Sequence, residues 1–311
     1  MKVKVFIDGS SGTTGLRIAD RLAERPEIEL LSISAEGRKD VHERAKVINS
    51  ADLAFLCLPD AASKEVMPLL RPDVKVLDTS TAFRTDDAWD YGFPELKGQK
   101  AKIQSSYRVA VPGCYASGFI SIARPLVELG LAPADYPFSC TGISGYSGGG
   151  KKMIAEYEGE RVNTALNAPR PYGLALHHKH LPEMQKISGL AHTPMFVPVV
   201  CDYYCGMQVL VPLDLGLAGT TAEAVAAVLA DYYKDAATVK VHGLNEPLPE
   251  NGLYSNAMAG TDRMELYLTV NAAGDQMMLV SLFDNLGKGS SGAAVQCMNL
   301  MLGLEETKGL E

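Results

Sequence analysis

Short apolar runs rich in β-branched residues alternate with amphipathic stretches over the first third of the chain. A short continuous apolar run is typical of a buried strand, whereas apolar residues three and four apart predict a helix. The predicted strands are residues 3–7, 28–33, 53–58, 74–77 and 108–111, and the predicted helices are residues 16–24, 40–48 and 64–70. This alternation predicts an α/β domain with a doubly wound, Rossmann-like sheet.

The second half has a different pattern, with several strands in succession and few helices. The predicted strands are residues 138–144, 195–200, 206–212, 239–241, 264–270 and 276–283, and the predicted helices are residues 114–128, 222–233 and 290–302. The last two strands flank Ala273-Gly274-Asp275, which predicts an antiparallel hairpin. We therefore expect an α+β domain with a mixed, largely antiparallel sheet that supplies a subunit interface.

This change of pattern divides the 311 residues into two predicted domains. The nucleotide-binding domain is predicted to comprise residues 1–113 and 290–311. The catalytic and subunit-interface domain is predicted to comprise residues 114–289. The helix at 290–302 is rich in small residues, which suits close packing, and we expect it to return to the first domain.

The turn after the first predicted strand carries three glycines at G-x-x-G-x-x-G spacing. The turn contains Gly9, Ser10, Ser11, Gly12, Thr13, Thr14 and Gly15. Glycine permits a tight turn and lets a pyrophosphate approach the free backbone N–H groups of a helix start. The position between the first strand and the first helix therefore predicts a dinucleotide site. The alternative is a glycine-rich turn in another kind of α/β protein.

The residues after the second predicted strand bear on the identity of the dinucleotide. Arginine or lysine there accommodates the 2′-phosphate of NADP, whereas an acid binds the ribose hydroxyl of NAD. Ser34, Arg38 and Lys39 favour NADP, and Glu36 is the contrary feature. An exposed charged turn without a ligand is the alternative. Loops that contain Pro59 and Ser80 follow the next two predicted strands and are candidate walls of the same crevice.

A thiol stands where a predicted strand ends and a helix begins. Pro112 and Gly113 end an apolar run, and Cys114 opens the next helix. The positive end of a helix lowers the pKa of a cysteine, and the thiolate is the reactive form. Free amides at the same place can stabilise an oxyanion beside the sulfur. Cys114 is therefore a candidate nucleophile, although the stretch alone fits a small buried side chain equally well.

Other polar segments supply candidates for anion binding and proton transfer. Arg84 is a candidate anion clamp, or else a surface ion-pair partner. The glycine-rich segment 145–152 is a candidate phosphate or carboxylate cradle, or else a flexible surface loop. His177, His178 and His180 lie close together. A metal site is disfavoured because the H-E-x-x-H spacing is missing. Two interpretations of these histidines remain: a base paired with Cys114, or an exposed polar helix start.

Composition narrows the classes of partner and the compartment. A net charge of −8 disfavours nucleic acid and anionic membranes as partners, and the sequence has no apolar run of membrane-spanning length. Six scattered cysteines without disulfide-framework spacing suit a reducing compartment. The chain leads directly into a predicted strand rather than a signal peptide. We therefore expect a cytoplasmic protein that acts on a small anionic molecule.

Several motifs together resemble the shorter form of the N-acetyl-gamma-glutamyl-phosphate reductases, in the aspartate-semialdehyde dehydrogenase superfamily. The resemblance covers essentially the whole chain. It rests on residues 9–15, Asp78-Thr79-Ser80 with Phe83-Arg84, Tyr91-Gly92-Phe93-Pro94-Glu95, Pro112-Gly113-Cys114-Tyr115, Ser144-Gly145-Tyr146-Ser147-Gly148, His178-Lys179-His180-Leu181-Pro182-Glu183 and Asp284-Asn285-Leu286-Gly287-Lys288-Gly289. His-Lys-His stands where the longer form has His-Arg-His.

The resemblance implies a reaction and a set of site residues. The reaction is NADPH-dependent reduction of N-acetyl-glutamyl 5-phosphate through a Cys114 thioester, in arginine biosynthesis, with His178 or, secondarily, His180 handling the proton. The implied substrate contacts come from Arg84, Ser144, Gly145, Ser147, Tyr172 and Glu183. Asn285 and Lys288 are implied at the nicotinamide. The resemblance also implies no metal ion and a homodimer or homotetramer.

Other functions remain open at this point. The same chemistry on an N-acetyl-aminoadipyl phosphate differs by one methylene, which changes binding by only about 1–3 kcal/mol. Aspartyl phosphate is disfavoured by the His178 motif. A nucleotide-binding redox sensor with Cys114 as its sensor thiol leaves the histidine motif unexplained. A cysteine hydrolase leaves the glycine turn of the first strand unexplained.

Overall fold

The structure is a computed structural model that describes residues 2–160 and 164–311. The chain divides into two compact units. The first contains the described residues up to Pro94 together with Gly98–Gly113 and Ser290–Leu310. The second contains Glu95–Lys97, Cys114–Gly289 and Glu311. Each unit is built around its own sheet.

The first unit has a parallel sheet. Its strands are β1 (Val3–Asp8), β2 (Ile28–Leu31), β3 (Leu53–Leu56), β4 (Lys75–Asp78), β5 (Asp90–Tyr91) and β6 (Arg108–Ala110), and its first four helices are α1 (Thr13–Ala23), α2 (Val41–Ser50), α3 (Asp60–Val66) and α4 (Gln99–Ser105). The strand order is β2-β1-β3-β4-β6-β5, with parallel pairing throughout. The connections change direction across the sheet between β1 and β3, where such sheets bind ligands. The predicted Rossmann-like α/β architecture is confirmed.

Three helices of this unit differ from the prediction. α1 begins at Thr13 because Gly12 is its N-cap, so the third glycine of the turn lies inside the helix. α3 begins at Asp60, and the 3₁₀ turn Met67–Leu69 replaces the helix where Pro68 lacks an amide donor. α4 has no predicted counterpart because, of its seven residues, Ile103 is the one that is buried.

The second unit has a mixed sheet. Its strands are β7 (Ser139–Gly145), β8 (Arg170–Pro171), β9 (Met195–Cys201), β10 (Met207–Asp214), β11 (Val239–Leu244), β12 (Met264–Val270) and β13 (Gln276–Phe283), and its helices are α5 (Cys114–Glu128), α6 (Gly150–Glu158), α7 (Leu181–Ser188), α8 (Leu215–Ala218) and α9 (Ala222–Tyr232). The order is β11-β12-β13-β10-β7-β9-β8. β11–β12 and β7–β9 are parallel, and the other neighbouring pairs are antiparallel. The predicted largely antiparallel sheet and its hairpin β12–β13 are confirmed.

Helix α5 has the predicted bounds and packs on one face of this sheet. Gly118 permits the close approach, because a Cβ there would lie 2.6 Å from Val209 and 2.7 Å from Ser281. The hydroxyl of Ser281 donates to the carbonyl of Gly118 at 3.1 Å. Strand alternation directs Val197 and Met278 to the opposite face, where each is 36% exposed. One face of the sheet is therefore covered by a helix, and the other has an exposed apolar part at Val197 and Met278.

The last helix belongs to the first unit. α10 (Gly292–Met301) follows the π-helical turn Gly287–Ser291. Its residues Ala294 and Met298 pack in one core cluster with Val5 and Leu53. Within the described part of the chain, no helix is both long enough and apolar enough to cross a membrane.

Candidate active site

The glycine turn between β1 and α1 depends on two missing side chains. Gly9 has φ +85°, and a Cβ on it would lie 2.3 Å from the carbonyl oxygen of Cys57. A Cβ on Gly15 would lie 2.4 Å from the carbonyl oxygen of Gly9. Any larger residue at either position would therefore force the turn open. The tight turn leaves the first backbone amides of α1 available to a phosphate.

A cavity of about 380 Å³ borders this turn within the first unit. Ser10 and Ser11 line it next to the turn, and Arg38 lines it from the segment after β2. Backbone amides and a guanidinium in one cavity fit a dinucleotide that carries several phosphate groups. Ser34 instead accepts a hydrogen bond from the amide of Gly37 at 3.0 Å, and Lys39 is exposed.

A buried ion pair supports the same turn and was not predicted. The Nε of Arg44 in α2 donates to the carboxylate of Asp8 at 2.8 Å, and both side chains are buried. Burial raises the pKa of Asp8, and the hydrogen bond from Arg44 acts in the opposite direction. The pair joins α2 to the end of β1, so it holds the strand from which the glycine turn begins.

The loops after β3 and β4 lie at the same edge of the parallel sheet. Pro59 is exposed and is the N-cap of α3. Ser80 is buried, and its amide and hydroxyl donate to Asp78 at 2.9 Å and 2.5 Å. The amide of Thr81 donates to Asp60 at 3.0 Å, which joins the two loops. Ser80 thus has a local structural role, and cofactor contacts from Pro59 and Ser80 stay predictions.

Arg84 is held from inside the first unit. Its side chain is 8% exposed. Its Nε donates to the carbonyl of Val111 at 2.9 Å, and one terminal nitrogen donates to the carbonyl of Thr79 at 2.9 Å. The guanidinium therefore orders the segment that precedes Pro112, a role that the sequence did not indicate. A substrate contact from Arg84 stays a prediction.

Cys114 is the first residue of α5 and is half-buried. A Cβ on Gly289 would lie 2.9 Å from the Cβ of Cys114. The 284–289 motif therefore packs directly against the residue that carries the thiol. The absence of a side chain at Gly289 leaves the space that Cys114 occupies, so these two sequence motifs form one site in the second unit.

Tyr115, the residue after Cys114, is the centre of an aromatic cluster. Its ring lies against the backbone of Gly142 in β7, where a Cβ would come within 2.4 Å of it. The ring centroid is 5.9 Å from that of His178, 6.1 Å from that of His180 and 5.1 Å from that of Phe196. The sequence assigned no role to Tyr115 or Phe196. Adjacency to Cys114 was the available signal for Tyr115.

The two motif histidines are in contact, and a backbone hydrogen bond orients one of them. The amide of His180 donates to Nδ1 of His178 at 3.1 Å, and their ring centroids are 4.7 Å apart. Burial, followed by the charges of Lys179 and His177, lowers the pKa of His178 to about 4. At neutral pH His178 is therefore uncharged with its proton on Nε2. His180 is buried at the N-cap of α7.

Of the other predicted substrate residues, Tyr172 lies next to this pair and Glu183 follows it in α7. The ring centroid of Tyr172 is 5.9 Å from that of His178. Burial raises the pKa of Tyr172 to about 12, so its hydroxyl keeps its proton at neutral pH. Glu183 is buried in the first turn of α7. Tyr172 therefore belongs to the cluster, whereas a substrate contact from Glu183 stays a prediction.

The second glycine-rich segment is shorter than predicted. A 3₁₀ turn Tyr146–Gly149 follows β7, and α6 begins at Gly150, so the cradle or loop predicted to reach Lys152 ends earlier. Lys151 and Lys152 are exposed residues of α6. The sequence did not predict α6, because three consecutive glycines at its start are not typical of a helix.

Asn285 holds the buried part of this segment in place. Its amide nitrogen donates to the hydroxyl of Ser147 at 2.9 Å, and its amide oxygen accepts from the backbone of Gly206 at 2.8 Å. Ser144, Gly145 and Ser147 are all buried. These contacts give Asn285 and Ser147 structural roles in the second unit, and their ligand contacts stay predictions.

Lys288 forms a buried ion pair with Glu95. The two side chains are 2% and 1% exposed, and the Lys288 Nζ lies 2.7 Å from the Glu95 carboxylate. Thr238 also donates to that carboxylate. Since the ammonium is already paired inside the second unit, contact of Lys288 with the nicotinamide stays a prediction. Glu95 belongs to the 91–95 motif, but the sequence did not indicate that Lys288 would be its partner.

The described residues, 2–160 and 164–311, contain no group of three or more histidine, cysteine, aspartate or glutamate side chains placed to hold a metal ion. The second unit contains a thiol at a helix N-terminus, a neutral histidine and protonated tyrosines. Such a set suits covalent acyl transfer with hydrogen-bond donors for an oxyanion.

Comparison with solved structures supports the architecture. Aspartate semialdehyde dehydrogenase II from Vibrio cholerae matches with a TM-score of 0.68 and 17% identity, over 97% of this chain and 99% of that one. The aspartate semialdehyde dehydrogenase from Francisella tularensis matches with a TM-score of 0.71 and 15% identity, over 96% of this chain and 100% of that one. At these identities the matches establish the fold alone.

Family models and sequence relatives are more specific. Residues 4–104 match the semialdehyde dehydrogenase NAD binding domain, and residues 114–285 match the semialdehyde dehydrogenase dimerisation domain. Proteins named N-acetyl-gamma-glutamyl-phosphate reductase are 45% identical in Trichormus variabilis, over 99% of both chains, and 47% identical in Burkholderia orbicola, over 96% of this chain and 97% of the relative. A third, from Chelativorans sp., is 47% identical over 97% of this chain and 99% of the relative. The chain therefore belongs to the semialdehyde dehydrogenase family, in the group of the N-acetyl-gamma-glutamyl-phosphate reductases.

Proposed function

We propose that the chain reduces N-acetyl-L-glutamyl 5-phosphate to N-acetyl-L-glutamate 5-semialdehyde and phosphate, with NADPH as reductant, in arginine biosynthesis. The observation that carries this proposal is a half-buried thiol, Cys114, at the N-terminus of α5 beside a cluster of His178 and two tyrosines. Relatives that match nearly the full length carry the name of this reductase. The chain is an oxidoreductase with a nicotinamide-binding domain in its first part.

In the first half of the reaction, the sulfur of Cys114 forms a bond to the acyl carbon of the substrate. The bond from that carbon to the phosphate oxygen breaks, and phosphate leaves with the electron pair. A thioester remains on Cys114. The positive end of α5 stabilises the thiolate before attack and the oxyanion that forms during it.

In the second half, the thioester carbonyl becomes an aldehyde. Bound NADPH supplies the hydride for this step. Because the thioester holds the carbonyl in place on Cys114, attack on it is effectively intramolecular. The electron pair displaced from the C=O bond resides on oxygen until the C–S bond breaks, and the thiolate of Cys114 is then regenerated with the aldehyde.

His178 enters this scheme as a hydrogen-bond donor. The amide of His180 occupies Nδ1, so the proton of the neutral ring is on Nε2. A neutral Nε2–H can stabilise a developing oxyanion but does not accept a proton at the same atom. We therefore infer that His178, the first choice from the sequence, donates to the substrate oxygen.

Variants at His178 separate this role from that of a base. His178→Ala should slow turnover by roughly 10²- to 10³-fold, the usual effect of removing one oxyanion donor. His178→Gln should keep more of the rate, because its amide also donates. Since the pKa of His178 is about 4, kcat should show no inflection from this residue between about pH 5.5 and 8. An inflection in that range that disappears in His178→Gln would identify a base instead.

The preference for NADP is proposed from Arg38. Arg38 lines the cavity beside the glycine turn, as a 2′-phosphate requires. Arg38→Ala should weaken NADPH binding by roughly 10- to 100-fold, because a charge-assisted hydrogen bond is lost, and should leave NADH binding unchanged. Fluorescence titration measures both constants. Lys46→Ala, at an exposed lysine of α2, is the matched control, and an equal loss for NADH in Arg38→Ala would refute the assignment.

We propose a homodimer or homotetramer from the exposed apolar side chains on one face of the second sheet. The matched family model is that of a dimerisation domain, and this face exposes Met195, Val197 and Met278. A second copy of the chain would bury these side chains. Val197→Asp should therefore shift the protein to monomer in sedimentation, whereas Leu69→Asp, at a residue exposed to a similar degree in the first unit, should not. An unchanged oligomer in Val197→Asp would exclude this face.

The reaction itself is tested by phosphate-dependent oxidation of N-acetyl-glutamate semialdehyde with NADP and, separately, NAD. The N-acetyl-aminoadipate and aspartate semialdehydes serve as comparison substrates. They undergo the same kind of reaction but differ in chain length or in the N-acetyl group. Preference for N-acetyl-glutamate semialdehyde with NADP is the expected result. Absence of reaction with both cofactors would overturn the assignment.

We also propose a cytoplasmic location for the protein, since the six free cysteines suit a reducing compartment.

A further inference from the structure

Arg44 is a buried arginine of α2 that contacts two other elements of the first unit. Its Nε donates to the carboxylate of Asp8, the last residue of β1, at 2.8 Å. One terminal nitrogen donates to the carbonyl of Ala62, in the first turn of α3, at 3.2 Å. The other terminal nitrogen lies 4.0 Å from the carboxylate of Glu65. Arg44 therefore joins α2 both to the end of β1 and to α3.

These two attachment points flank the place where the glycine turn meets the loop after β3. Gly9 follows Asp8 directly, and a Cβ on it would lie 2.3 Å from the carbonyl oxygen of Cys57. The amide of Cys57 donates in turn to the carbonyl of Asp8 at 2.8 Å. Gly9 and Leu58 line the same cavity of about 380 Å³. The turn and the loop are thus adjoining walls of that cavity, and Arg44 holds the residue before one wall and the helix after the other.

The guanidinium suits this double attachment, because its nitrogens donate in fixed directions within one plane. Asp8 is 4% exposed, so water does not readily replace its cation. Without Arg44, the end of β1 would have to move for the carboxylate to become hydrated. Such a movement would carry Gly9 away from the loop after β3.

We propose that Arg44 is a positioning residue for the dinucleotide, which holds the glycine turn against the loop after β3 and so sets the affinity for the pyrophosphate that NADPH and NADH share. This inference rests on the dinucleotide site of the proposed function. The amides of the turn contact the pyrophosphate, and Arg44 acts through them. Because several amides must point at one group, a shift of the turn weakens several hydrogen bonds at once.

Arg25 provides a matched control at the opposite edge of the same sheet. It is also buried, and it donates to Glu27 at 2.7 Å and to the side chain of Asn299 at 3.1 and 3.2 Å. Arg25 precedes β2, at the amino ends of the parallel strands, whereas the glycine turn lies at their carboxyl ends. Loss of either arginine therefore leaves buried polar groups unpaired, but Arg25 is remote from the walls of the cavity.

Fluorescence titration of Arg44→Met with NADPH and with NADH tests the inference. Both dissociation constants should rise by the same factor, roughly 10- to 100-fold, which is equivalent to one hydrogen bond to a charged group. The equal factor distinguishes Arg44→Met from Arg38→Ala, which acts on the 2′-phosphate and so on NADPH alone. Arg25→Met should bind both cofactors with wild-type constants, although its midpoint of urea unfolding should also fall.

A double variant keeps the test decisive if Arg44→Met does not fold. Asp8→Asn/Arg44→Met leaves no buried charge at this place, so it should unfold at a higher urea concentration than Arg44→Met. It still lacks the link from α2 to β1 and α3. Its dissociation constants for NADPH and NADH should therefore stay raised. Circular dichroism of each variant checks that the fold is retained.

Three results would overturn the inference. Wild-type constants in Arg44→Met would show that the turn does not depend on this residue, and equal weakening in Arg25→Met would show a general effect of lost stability. Wild-type affinity in the double variant would show that Arg44 serves to neutralise Asp8 and not to hold the turn. The expected losses in a protein that does not oxidise N-acetyl-glutamate semialdehyde would support the role of Arg44 and refute the proposed reaction.

Discussion

Cys114→Ser should abolish reduction of the acyl phosphate, with a loss on the order of 10⁴-fold or more, as when a covalent nucleophile is removed elsewhere. A serine hydroxyl stays protonated at neutral pH and is a far weaker nucleophile than a thiolate. Any ester that formed would also accept hydride less readily than a thioester. The measurement is steady-state turnover together with mass spectrometry for an acyl adduct.

Two comparisons make this result specific. NADPH binding should be unchanged in Cys114→Ser, because the dinucleotide cavity is lined by residues of the first unit. Cys201→Ser should keep its activity, since Cys201 is half-buried in β9 and burial raises the pKa of its thiol. Substantial turnover in Cys114→Ser, or an acyl adduct on another cysteine, would refute the covalent mechanism.

Lys288→Met should destabilise the protein by about 3–5 kcal/mol, because it leaves the Glu95 carboxylate buried without its cation. Both side chains are almost completely buried, and their charged groups are 2.7 Å apart. Denaturant unfolding measures the change. Replacing both residues by methionine should recover much of the loss, since two apolar side chains leave no buried charge.

A surface pair provides the control for this prediction. Lys234 and Asp231 are 3.0 Å apart but are 62% and 77% exposed. Lys234→Met should change stability little, because water already screens this pair. Equal destabilisation by Lys288→Met and Lys234→Met would show that burial does not determine the cost. NADPH affinity of Lys288→Met, measured below its unfolding transition, tests separately the cofactor contact expected from the sequence.

Local sequence patterns were sufficient for much of the fold. The alternation of apolar runs and amphipathic stretches predicts the parallel sheet, because each such segment must bury one face. The bounds of α5 were predicted correctly, since Pro112-Gly113 and an apolar stripe mark its start. α4 and α6 were missed, because one lacks an apolar stripe and the other begins within three consecutive glycines.

The sequence identified site residues better than it identified the groups that those residues contact. Cys114, His178 and Tyr172 were identified by motif and resemblance. The partners of Lys288 and Arg84 were not, because Glu95 and the carbonyl of Val111 become neighbours only on folding. The structure also gave Tyr115 a central position, although it entered the sequence argument only as the residue after the cysteine.

The sequence by itself determined the class of this protein and the place of its thiol. A glycine turn after the first strand and a cysteine at a helix start are local features, set by backbone geometry within a few residues. Only the tertiary structure decided that His178 presents Nε2–H, that Lys288 is paired and that the hydroxyls of Tyr115 and Ser144 are in contact. Hydrogen bonds between distant residues depend on how strands and helices pack, and a chain pattern does not contain that information.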